Sequence, residues 1–229
     1  MKFSLLIICL GFCLTITAQP TTWNAGTTWS AGTLDIHLVP SVLLDGNPRL
    51  RLGTEFHPHN RLGYSLEVGV GSTNLNAYRF TNSIWGQDYS FFEIRPEIKW
   101  YKKKPSPFEV YYSAELFYLK MTDKLANQYY YPTGQSEPVS FDEASFSKQK
   151  FGLQFKIGSK FLLWKTISLD FYEGLGLAYR HIDYSDVVNP DVYDYTICQF
   201  WQPPHELEGD HLLAQLSLGM RIGYVIGKW

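Results

Sequence analysis

The chain has 229 residues and a net charge of −2, and its only basic run is Lys102-Lys103-Lys104, a balance that excludes a nucleic-acid binder. Of three cysteines only Cys198 lies beyond residue 13, which excludes a disulfide framework and a cysteine-based zinc site. Aromatic residues make up 17% of the chain, yet nothing after the first apolar run could form a membrane helix; that combination favours strands.

The first predicted element is a leader. Lys2 gives one positive charge, Leu5 to Leu14 a short apolar run, and Thr17-Ala18-Gln19 a small-residue cleavage site. This is the layout of a secretory signal peptide over 1–18, and the run is too short for a membrane anchor. Residues 19–32 are expected to be a loose N-terminal arm, followed by one domain over 33–229.

From Leu34 onward the dominant signal is alternation with a period of two. Leu34, Ile36, Leu38, Pro40, Val42 and Leu44 share one face, and Asp45-Gly46 predicts a tight hairpin turn. A second strand carries the parity on through Leu50, Leu52 and Phe56, opposite Arg49, Arg51 and Glu55. Six further strands follow over 62–71, 92–100, 108–118, 151–161, 167–180 and 212–226. Short turns fall at His57 to Asn60, Lys102 to Pro107 and Leu163 to Lys165, and long loops at Ser72 to Gln87, Met121 to Ala144 and Asp183 to Asp210. Eight such segments, with short connections on one rim and long ones on the other apart from the Asp45-Gly46 turn, predict an all-β, eight-stranded antiparallel up-and-down transmembrane β-barrel.

Alternation leaves open which face points inward, and volume decides. The apolar face carries more than forty side chains, whereas an eight-stranded interior holds only about twelve in its layers. The apolar set is therefore expected to meet lipid. The other face offers eight acids and eight bases, and equal numbers allow every buried ion a partner. Within it Glu93, Arg95, Glu97, Lys99, Glu109, Glu115, Lys156, Asp170, Arg180 and Arg221 form a predicted lumen ion-pair network. Glu173 carries a charge on the lipid-facing parity; Gly174 beside it suggests a bulge that turns it away, the alternatives being contact with a protein partner or a different register of this strand.

These features resemble the small eight-stranded outer-membrane barrels of the OmpX and OmpA type, and more particularly the outer membrane protein beta-barrel group common in Bacteroidota. The most specific piece is the last strand: Ser217, Gly219, Ile222 and Tyr224 match the signal that the barrel assembly machinery of such proteins reads, with Trp229 in place of the terminal aromatic. The resemblance implies a Gram-negative cell outer membrane, contact with outer-membrane lipid and lipopolysaccharide, and no cofactor.

Several motifs invite a sharper chemistry. His181 and Ser185 resemble the His and Ser of a lipid A deacylase, but residues four apart on a strand lie roughly 13 Å from one another, beyond reach of a nucleophile–base bond unless the loop folds back. His57-Pro-His59 reads as a polar turn without a third metal ligand, and the acids Asp183, Asp186, Asp191 and Asp194 as a solvated loop without regular calcium spacing. Tyr129, Tyr130, Tyr193, Tyr195 and Trp201 form a candidate loop surface for a protein or glycan ligand, or else pack into loop cores. The expectation is a non-enzymatic surface barrel without an open pore, structural or binding a partner through its loops. The alternative is an outer-membrane lipid hydrolase.

Overall fold

A computed structural model describes residues 31–44, 47, 49–73, 88–102, 108–135, 137–163, 166–192 and 207–227. The predicted signal peptide, the Asp45-Gly46 turn, Tyr193, Tyr195, Cys198, Trp201 and Trp229 lie outside them.

Strands β1 (Thr33–Leu38), β2 (Leu50–His59), β3 (Leu62–Ser72), β4 (Ser90–Tyr101), β5 (Phe108–Tyr130), β6 (Val139–Leu163) and β7 (Ile167–Val188) pair antiparallel, each with the next. The two-residue β8 (Asp191–Val192) adds to the far end of β6, and β9 (Gly209–Ile226) pairs with both β7 and β1, closing a ring of eight strands.

The register fixes the barrel's shape. Followed strand to strand, Leu38 pairs with Leu52, Val68, Ile94, Tyr118, Phe151, Tyr179 and finally Leu212. Across the closing seam, however, Leu38 pairs with Ile222. The circuit therefore slips by ten residues. With about 3.3 Å per residue and about 4.8 Å between strands, that stagger tilts the strands by about 40° and gives a backbone radius of about 8 Å. Such an interior fills with side chains.

The predicted orientation holds in the lower part of the barrel. Leu52, Leu66, Leu116, Phe155, Leu175 and Leu218 point outward and are exposed, whereas Glu55, Glu67, Glu93, Lys99, Glu115 and Arg221 are buried inside. Phe56, Tyr64, Trp100, Tyr112 and Tyr224 ring the outward face near the short-turn rim, and Tyr118, Phe151 and Tyr179 ring it on the other side.

Two expectations about the strands are overturned. The first concerns Met121 to Ala144, expected to be a loop. Most of it is strand, as are Asp183 to Val188, so β5, β6 and β7 reach 22 to 25 residues. Above Tyr118, Phe151 and Tyr179 the meaning of the alternation inverts. Lys120, Lys124, Gln149 and His181 face outward, while Met121, Leu125, Phe146 and Ile182 turn inward and pack with Phe91 and Phe141 as an apolar core. A polar outer face is what water demands. A reading keyed to apolar residues outside ends these strands a girdle too early.

The second concerns the first strand, expected to run from Leu34 to Leu44. It stops at Leu38, and Pro40–Leu44 forms a short 3-10 helix. Proline has no N–H for the ladder. Val42, expected on the lipid face, is buried instead.

Candidate functional site

The site is the barrel's interior. Strands alternate their side chains, so below the upper aromatic ring the inward positions deliver mostly polar residues and glycines to one axis. Arg221 on β9 is the hub. Its guanidinium donates to Glu67 at 2.5 Å, Glu97 at 2.6 Å, Asp170 at 2.9 Å and the Tyr111 hydroxyl at 3.1 Å, and it stacks over Tyr172 at 4.3 Å. Strands far apart in sequence are tied through one side chain.

Below the hub, Lys99 donates to Glu55 at 2.7 Å and Asp170 at 3.0 Å, and Lys160 pairs with Asp35 at 2.7 Å and Glu55 at 3.0 Å. Tyr101 also donates to Glu55, and His57 Nε2 sits 3.0 Å from the same carboxylate. His57, read as part of a turn, is therefore a buried floor residue. Above the hub, Arg49, Arg51 and Arg95 all donate to Glu93, at 2.6, 2.5 and 2.9 Å. Arg95 reaches Glu115 at 2.8 Å, and Lys156 donates to that carboxylate too. A buried ion pair contributes little net stability, but the removal of one member leaves an uncompensated charge. The network thus specifies one packing of the interior.

Of the predicted lumen residues, Glu93, Arg95, Glu97, Lys99, Glu115, Lys156, Asp170 and Arg221 meet in this connected set. Glu109 and Arg180 point inward but are only partly buried, one near each rim. The inward tyrosines Tyr101 and Tyr172 were missed, although their parity with Lys99 and Asp170 places them. Glycines leave room for the inward rings: a Cβ on Gly219 would stand 2.3 Å from the Tyr172 hydroxyl, and one on Gly158 2.3 Å from the Tyr111 ring.

A cavity of about 350 Å³ opens at the upper end of the network. It is lined by Ser41 and Val42 of the 3-10 helix, Arg49 and Arg51, Arg95, Gln154 and Lys156, Tyr172, and Gln215 to Leu218 of β9. Ser217 and Gly219 of the predicted assembly signal point inward here, while Ile222 and Tyr224 face outward.

Glu173 does not sit in a bulge. The ladders pair it regularly with Ile157 and Leu218, and it stays exposed on the outward apolar face. Gly174 serves the inside, where a Cβ would come within 2.6 Å of the Lys156 side chain.

His181 and Ser185 lie on the continuous β7, which holds them about 13 Å apart by strand geometry. His181 Nδ1 is 2.7 Å from Asp210, which also accepts from Tyr179 at 2.5 Å. These contacts, the Tyr179 bond foremost, hold the Asp210 carboxyl below its usual value. Tyr130, expected at a loop surface, stacks on Tyr184 at 4.4 Å against the apolar core of the extension; Tyr129 lies edge-on to Tyr131 at 6.3 Å.

Among known proteins, no family model and no curated sequence matches this chain. Among solved structures it is similar to a major outer membrane protein from Thermus thermophilus, at 12% identity and a TM-score of 0.42, over 85% of this chain and 98% of that one.

Proposed function

We propose that the protein is a non-enzymatic barrel of the cell outer membrane, closed to solute passage, that meets its partner through the tall rim formed by β5, β6 and β7. One observation carries this reading. A closed ring presents a continuous outward band of aliphatic and aromatic side chains while its axis is filled with paired ions. In water such a surface would aggregate. In a bilayer it is the required solvent match, because the ring pairs its strands all round, apart from one edge of β9 above the seam.

The extension supports a role at the cell surface. Three strands continue for about ten residues past the upper aromatic ring, with a polar outer face and an apolar core of their own. That construction holds a rigid platform away from the bilayer and suits recognition of a protein or glycan. The Arg221 hub argues against a solute channel, since three carboxylates, a tyrosine hydroxyl and an arginine occupy the axis together.

The test is fractionation and reconstitution. The protein should partition with outer membranes, migrate faster on gels unheated than boiled, and give no ion conductance in planar bilayers. Recovery as a soluble periplasmic protein would refute the membrane reading, and steady conductance would refute the closed lumen. Lipopolysaccharide acylation should be the same with and without the protein; a lost acyl chain would favour the hydrolase instead.

A further inference from the structure

The barrel wall has a step at its closing seam. β1 pairs with β9 only from Leu34–Ile226 to Leu38–Ile222. From Gly209 to Arg221, β9 has β7 along one edge and no strand along the other among the described residues. Side chains take the place of a strand there: Ser41 Oγ accepts from the Met220 N–H at 3.3 Å, and Gln215 Nε2 donates to the Leu216 carbonyl at 2.7 Å. An open sheet edge is tolerated at membrane depth only where it borders protein or a polar cavity. The cavity described above lies at this edge.

Its chemistry is one-sided. Among the described residues of the lining, only Arg49, Arg51, Arg95 and Lys156 are charged; their partners Glu93, Glu115, Glu67 and Glu97 stand behind them and do not line the cavity, so the charge presented to a ligand is positive. Gln154 is 1% exposed, and neither of its amide atoms has a hydrogen-bond partner among the described residues; the same holds for Ser217 Oγ. A buried amide without partners is expensive and marks a place where something polar is to be bound. Outside, Leu216 and Leu218 project from the same stretch of β9 and are 71% and 75% exposed, so an alkyl chain has apolar surface to lie along at the mouth. The volume falls within the roughly 300–1,000 Å³ of small-molecule sites.

We propose that this seam is a lateral portal through which the anionic headgroup of a bilayer amphiphile, a phosphate or carboxylate, enters from the membrane and is held by Arg49, Gln154 and Lys156 while its alkyl chain stays along Leu216 and Leu218. Guanidinium groups suit such ligands because they bond phosphate and carboxylate oxygens in pairs. The inference rests on the membrane reading of the barrel, and its test separates the two.

The protein is inserted in phosphatidylcholine nanodiscs and titrated calorimetrically with tetradecyl phosphate, tetradecanol or inorganic phosphate, with empty discs as the reference. Insertion is checked first by heat-dependent gel migration; failure to insert sinks both readings. In inserted protein, saturable binding of one tetradecyl phosphate per barrel is expected above partition into empty discs. Tetradecanol should show no saturable binding, and inorganic phosphate should bind at least tenfold more weakly. Arg49→Gln should weaken tetradecyl phosphate binding tenfold or more, whereas Lys124→Gln, at an exposed ion pair on the extension, should not change it. Ser41→Trp, which narrows the mouth without removing charge, provides a second route should Arg49→Gln fold poorly; it should also lose binding. Uptake no greater than in empty discs, or binding unchanged in Arg49→Gln or Ser41→Trp, overturns the portal. Inorganic phosphate binding as tightly as tetradecyl phosphate also overturns it, since the anion would then enter from water.

Discussion

Replacing Arg221 with methionine tests the interior network at its centre. The guanidinium bonds Glu67, Glu97 and Asp170, which do not depend on it equally. Asp170 keeps Lys99 at 3.0 Å and the Tyr111 hydroxyl at 2.8 Å. Glu67 keeps His37 at 3.3 Å and Arg51 at 3.4 Å. Glu97 keeps only the Ser113 hydroxyl among the described residues, with Lys156 at 3.9 Å, beyond hydrogen-bond distance. The variant therefore strands one buried carboxylate, at a cost of about 3–5 kcal/mol. Against a total stability of roughly 5–15 kcal/mol, that is a large fraction. Urea unfolding in lipid vesicles, followed by heat-dependent gel migration and tryptophan fluorescence, measures the loss. Adding Glu97→Gln removes the stranded charge and should recover about half of it or more. A loss under about 1 kcal/mol for Arg221→Met would mean that the axis is wet enough to screen its ions. A loss that Glu97→Gln leaves untouched would mean that the stranded-charge account of this hub is wrong.

Other substitutions probe the outward face and the fit of the interior. Glu173→Leu should stabilise the barrel in vesicles by about 1–2 kcal/mol, because it removes a carboxylate from the apolar band; destabilisation in the same urea titration would reveal a partner for that carboxylate. Gly219→Ala should displace the Tyr172 ring from beneath Arg221 and cost about 1–3 kcal/mol; an unchanged unfolding midpoint would show that the close approach is relieved without strain. Tyr179→Phe should let the Asp210 carboxyl rise toward its ordinary value, as read by side-chain NMR titration, because the lost hydroxyl bond is the foremost cause of its depression. A group with a lowered pKa adds stability above its unfolded value and loses it as the pH falls through the folded one. The Asp210 contribution should therefore be present at neutral pH and be lost as the pH falls below the ordinary carboxylate range.

The alternation of residues along each strand settled the barrel and the identity of its interior from sequence alone. The reason is volume: more than forty apolar side chains cannot enter an eight-stranded lumen, so Leu52, Phe155 and Leu218 had to face out and Arg221 and Glu93 in. The same logic placed Lys99 and Asp170 on one axis, although 71 residues separate them. Sequence could not say which ions would touch, because the ten-residue stagger that brings Arg221 beside Glu67 and Glu97 is a property of ring closure. Nor could it extend β5 to β7 past the girdle, since alternation has no label for the solvent it faces and the polar-outward continuation read as loop. The lateral step arose the same way. Pro40 signals a break, but only the closed ring sets that break against the unpaired edge of β9 and leaves Arg49, Gln154 and Lys156 around one cavity.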